Sequence, residues 1–127
     1  GDDPYNVLVN RERLAEALGV RDEDVHTTWQ VHGADVRVLR EPGRQWPPPK
    51  ADALVTDRVG LPLGMRFADC VPLLFYDPAK RVLGMAHAGW RGTAAGVGPA
   101  TADKILEWLH SGRRFRRAED IELEIKD

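Results

Sequence analysis

The chain has a single cysteine, Cys70, so no disulfide can form within it, and a reducing compartment, the cytoplasm, is the expected location. It also lacks any run approaching the roughly 20 apolar residues that a membrane span requires, and no charged-then-apolar leader is visible. Charge of one sign is missing as well. Eighteen Lys and Arg nearly balance twenty Asp and Glu, giving a net charge of -2, so no field favours a nucleic-acid backbone or an anionic membrane. The one basic run, "RRFRR" at 113–117, is followed directly by the acidic "EDIELE" and reads as a solvated face.

What is present suits one domain. With 127 residues, of which 43% are hydrophobic, the chain can build a single packed core. "DDPYNVLVNRERLAEALGV" carries Asp2 and Asp3 as cap candidates, Pro4 in a tolerated first-turn position, apolar residues in helical spacing and Gly19 as a stop. "VHTTWQV" and "ADVRVL" predict two short strands meeting at a turn, or one strand with a bulge, at His32 and Gly33. "EPGRQWPPPK" is a loop, because its prolines lack amide donors. Four apolar runs follow, "ADALVTD", "LPLGMRFAD", "VPLLFYDP" and "RVLGMAHAG", and predict strands covered on both faces, with "DPAKR" as a hairpin turn. "GTAAGVGPATADKILEWLHSG" predicts a helix with Thr93 as cap candidate, either kinked at Pro99 or beginning there, and "EDIELEIKD" predicts one more strand. Met65, Phe75 and Met85 are expected in the core.

Three ligand-type side chains fall at the ends of these runs: His32, Cys70 and His87. Their separations of 38 and 17 residues match no zinc-finger spacing, so spacing alone does not select a metal site. Strand ends can converge on one edge of a sheet, however, and a His-Cys-His set would give zinc three ligands with a fourth position open. The alternatives are ordinary: a cysteine packed as a small hydrophobe, and histidines bonded to nearby backbone. Asp69 could orient a ligand or serve as acid or base; it could equally bond local amides. His26 and His110 have no motif around them and read as structural. In "GWRGT", Gly89 and Gly92 let backbone amides approach a ligand and Arg91 offers a planar fork suited to phosphate; the same glycines could serve tight packing alone.

"TWQVHGADV", "ADALVTD", "FADCVPLLFYDP" and "AHAGWRGTAAG", in that order, closely resemble the YfiH-type family, formerly described as multicopper polyphenol oxidases or laccase-domain proteins and now as zinc-dependent purine nucleoside phosphorylases. The resemblance runs from Gly1 to about Leu109. It implies an α/β (α+β) fold, a mixed β-sheet with flanking helices in a YfiH/CNF1-like layered architecture, over a single domain at 1–127 that is incomplete at both ends. It also implies that His32, Cys70 and His87 bind the metal and are the catalytic residues, with Arg91, Gly89 and Gly92 at the substrate and phosphate. The cofactor implied is zinc, with copper as the alternative. The implied activity is phosphorolysis of adenosine, inosine and methylthioadenosine, with adenosine deaminase activity beside it. The partners implied are a small-molecule nucleoside and phosphate, with no nucleic acid and no membrane, and a homodimer is left open. Two other readings use the same residues. In one, Cys70 is the nucleophile of a cysteine hydrolase or deamidase and His87 its base; in the other the protein is a copper-dependent polyphenol oxidase, for which four histidines are few.

Overall fold

The computed structural model describes residues 2–110. Helix α1 spans Pro4–Ala17; Asp3 caps it, its carboxylate accepting the Tyr5 N–H at 2.8 Å, and Gly19 ends it at φ +69°, a conformation open to glycine without steric cost. Of its residues only Ala15 is buried. A short 3-10 turn at Asp22–Asp24 follows, and Asp22 accepts a paired hydrogen bond from the Arg11 guanidinium at 3.1 and 3.0 Å, which ties the helix down.

Four strands form one mixed sheet: β1 (Val36–Leu39), β2 (Ala53–Thr56), β3 (Val71–Asp77) and β4 (Val82–Ala88), in the order β1-β2-β4-β3. β1 and β2 run parallel, and β4 is antiparallel to both of its neighbours. The hairpin at "DPAKR" forms as expected, with the Asp77 carboxylate accepting the Lys80 N–H at 2.8 Å. Helix α2 spans Trp90–Ala94 and α3 spans Val97–His110, separated by Gly96 at φ +84°.

The core lies between the sheet and α3. Register aligns Val36, Ala53, Ala86 and Leu73 in one row and Val38, Val55, Gly84 and Phe75 in the next, so this face is apolar from edge to edge. Ala53, Ala86 and Val97 form one buried cluster, and Val55, Val82 and Ile105 form another. Gly84 lets α3 come close: a Cβ there would lie 3.3 Å from Ile105 and 3.4 Å from Thr101.

Several expectations change on contact with tertiary structure. Residues 25–31 and 61–69 are not strands; their backbone pairing with each other and with the loop at Lys50 is limited to isolated bridges, His26 with Leu63 and Trp29 with Lys50. Trp29 and Val31 stand exposed, and the apolar residues of 61–67 are half-buried. Coverage of both faces holds for β2, all of whose residues are buried, but not for β3, whose Leu74 and Tyr76 stand exposed opposite to α3. Thr93 lies inside α2 and is not a cap, and Pro99 is the third residue of α3, in the first turn, where a missing amide donor breaks no helical bond. Phe75 packs against both core clusters, while Met65 and Met85 are half-buried. The strand expected at "EDIELEIKD" and the basic run at 113–117 lie outside the described residues.

Candidate metal centre

The strand register brings three distant ligands to one end of the sheet. Val71 pairs with Ala88 and Pro72 with His87, so Cys70, one residue before β3, falls opposite Gly89, one residue after β4. Ala53 pairs with Ala86, which sets Asp52 beside His87; the His87 N–H donates to the Asp52 carbonyl at 2.7 Å. Because β1 runs parallel to β2, the "QVHG" turn that precedes β1 arrives at this same end. Gln30 fastens the turn to the segment leading into Cys70, its side chain donating to the Arg66 carbonyl at 2.7 Å and accepting the Arg66 N–H at 2.9 Å.

The result is a cluster of His32, Cys70 and His87 whose ligand atoms all lie within 4.8 Å of one another. His32 is exposed, Cys70 half-buried and His87 buried, so the cluster opens on the His32 side. The two imidazoles meet edge to face at 4.9 Å between centroids, and Phe67 tilts against His87 at 5.5 Å. Tetrahedral zinc with bonds of about 2.0–2.3 Å to nitrogen and sulfur holds its ligand atoms roughly 3.3–3.6 Å apart, so a set already within 4.8 Å closes by small side-chain rotations. The donor set of two imidazoles and one thiol suits zinc. The residues fit the metal.

Asp52 is a member of this cluster that the sequence did not single out. It is fully buried, and its carboxylate accepts the amides of Val31 (3.1 Å), His32 (2.9 Å) and Gly33 (2.8 Å) while also meeting Nδ1 of His87 at 2.9 Å. Burial pushes its pKa up, but the hydrogen bonds from Gly33, His87, Val31 and His32 outweigh that and hold it below the usual carboxylate range. Asp69, the carboxylate next to Cys70 in sequence, does not play this part. The available signal was an aspartate placed directly before the apolar run Ala53–Val55, where a carboxylate is buried only if amides or a cation receive it.

The two glycines of "GWRGT" are placed by packing. A Cβ on Gly89 would lie 2.8 Å from Cys70 Sγ and 3.0 Å from His32 Nδ1, so glycine here leaves room for two of the ligands. A Cβ on Gly92 would lie 2.9 Å from the Gly33 carbonyl and 3.3 Å from the His87 carbonyl, so α2 sits directly on the turn and the strand that carry the histidines. Arg91 is exposed at the start of α2 with its guanidinium over the Trp90 ring at 5.1 Å, and among the described residues no carboxylate pairs with it. That leaves its fork available to an anion.

A mixed α/β layer with a His-Cys-His cluster at one sheet end is a domain with a candidate metal site, and comparison with known proteins gives its family. The family model described as multi-copper polyphenol oxidoreductase laccase matches residues 1–116, and the chain belongs to that family. A purine nucleoside phosphorylase of Streptomyces coelicolor is 48% identical over 107 residues, covering 84% of this chain and 44% of that protein. One of Deinococcus radiodurans is 39% identical over 133 residues, covering 94% of this chain and 51% of that protein. Among solved structures, YlmD from Geobacillus stearothermophilus superposes with a TM-score of 0.76 at 38% identity, over 87% of this chain and 42% of that one. The Bacillus licheniformis hypothetical protein YfiH gives 0.74 at 35% identity, over 86% and 42%. The chain thus spans about half the length of these relatives. Among the described residues no helix is long and apolar enough to cross a membrane.

Proposed function

We propose that this chain carries the metal-binding part of a zinc-dependent purine nucleoside phosphorylase that also deaminates adenosine. The single observation that carries the reading is the gathering of His32, Cys70 and His87 with ligand atoms within 4.8 Å of one another, in a chain whose relatives are named purine nucleoside phosphorylases. His32, Cys70 and His87 would hold zinc, which when bound supplies Lewis acidity toward water or the purine. Exposure of His32 leaves the nucleoside an approach from that side. Arg91 is the group proposed for phosphate, its planar fork pairing two oxygens as phosphate is brought to C1′ of the ribose. Gly89 and Gly92 are proposed to assist by letting α2, the helix that carries Arg91, settle against the segments that bear the histidines. Adenosine, inosine and methylthioadenosine are the proposed substrates, and the free thiol suits a reducing compartment such as the cytoplasm.

One observation favours a second reading. The Asp52–His87 contact beside Cys70 has the order of a Cys-His-Asp nucleophile system, in which His87 would take the thiol proton. That reading leaves His32 without a task. Zinc-loaded protein given adenosine and phosphate should form adenine and ribose 1-phosphate, and given adenosine and water should form inosine and ammonia, both steps stopping in chelator. Activity that survives chelation but is abolished by alkylating Cys70 would transfer the assignment to the thiol.

A further inference from the structure

Asp52 touches both histidine ligands through one carboxylate. Oδ1 accepts the His32 N–H at 2.9 Å and meets His87 Nδ1 at 2.9 Å, while Oδ2 accepts the amides of Val31 and Gly33. With three amide donors spread over both oxygens, the carboxylate acts throughout as an acceptor, so the hydrogen in the contact with His87 sits on Nδ1. A neutral ring protonated at Nδ1 keeps its lone pair on Nε2, which is then the nitrogen left for a metal. The other end of the same carboxylate fixes the backbone. His32 is held at φ +61°, a left-handed conformation unfavourable for a residue with a side chain, and three consecutive amides directed at Asp52 offset that cost.

We propose that Asp52 is the positioning residue of the metal centre: one buried carboxylate selects the tautomer of His87 and holds the turn of His32, so both imidazoles are presented together before any ion arrives. The inference rests on reading His32, Cys70 and His87 as a metal centre. Its consequence is that affinity for the metal depends on a residue that never touches the ion.

Cobalt(II) is a suitable probe, because its charge-transfer absorption with a thiolate reports Cys70 ligation directly. The unsubstituted chain should show that band. Asp52→Asn preserves shape but turns one acceptor into an NH2 donor facing either the amides or the protonated Nδ1. It should weaken cobalt binding, measured by chelator competition, about 10–100-fold, with the circular dichroism unchanged. Equal affinity in a folded Asp52→Asn variant would overturn the proposal. Should that variant not fold, nitrogen-15 spectra of metal-free unsubstituted protein decide the matter: His87 protonated at Nδ1 supports the proposal and protonated at Nε2 overturns it. A missing thiolate band in the unsubstituted chain would reject the metal centre itself, and the inference with it, which is a different failure from an indifferent Asp52.

Discussion

His26 and His87 are equally buried, each 5% exposed, yet they sit in opposite electrostatic situations. His87 Nδ1 faces a carboxylate at 2.9 Å, and the ring stands beside a second imidazole and a thiol. Among the described residues His26 Nε2 has no hydrogen-bond partner; its backbone N–H donates to the Pro62 carbonyl at 2.9 Å and its carbonyl accepts from Gly64 at 2.8 Å. Burial holds the His26 pKa below the ordinary histidine value, with Asp24 pulling weakly the other way. Burial by itself therefore says little about a histidine's task. What separates the two is whether the fold delivers a carboxylate to one ring nitrogen and leaves the other facing partners.

The comparison is easiest to break at Cys70. Replacing it with serine removes the soft ligand, and zinc measured by mass spectrometry on purified protein should fall from near stoichiometric to background, a larger loss than the roughly 10–100-fold expected from disturbing an outer partner. Unchanged zinc would make His87 as structural as His26. Gly89→Ala comes next: the new methyl must displace Cys70 Sγ or His32 Nδ1, and binding should weaken by about 10–100-fold while the thermal midpoint moves little. Retained affinity would show that the ligands have room to spare.

Leucine at each histidine sharpens the contrast in stability. His87→Leu strips Asp52 of one partner inside the fold and should cost on the order of 1–3 kcal/mol in urea unfolding of metal-free protein. His26→Leu removes a ring nitrogen that is buried without a partner among the described residues, and should be neutral or stabilising by up to about 1 kcal/mol. The smallest effect is in pH. Because the folded state lowers the His26 pKa from 6.5, the protonated ring is disfavoured in the fold; the stability tied to the neutral ring is full above 6.5 and is lost as pH falls through 6.5 toward the lower folded value. Urea midpoints of the unsubstituted chain and His26→Leu, compared from pH 7.5 downward, should diverge in that window. Parallel curves would remove His26 from the account.

Local signals found the elements that local chemistry controls. Asp3, Pro4 and Gly19 mark α1 at both ends, and the apolar runs that became β2, β3 and β4 are visible because their turns carry aspartate, proline and glycine. Residues 25–31 and 61–69 misled for a physical reason: a β-rich composition measures how well side chains suit a half-buried surface, and these segments lie mostly half-buried beside each other and the loop at Lys50 without entering the sheet. His32, Cys70 and His87 were recognisable from residue type and from motifs shared with a family. Asp52 was hidden inside "ADALVTD", where its neighbours advertise a strand and nothing local announces that four donors converge on it.

The sequence by itself determined the kinds of ligand, one thiol and two imidazoles, and that Cys70 and His87 stand at the ends of strands. Only the tertiary structure decided that those ends share one side of the sheet, that Gly89 must be bare for the thiol and an imidazole to fit, and that a single buried aspartate serves both histidines. The reason is that strand order and register are set by burial of whole faces between residues far apart in the chain, and no window of neighbouring residues contains that choice.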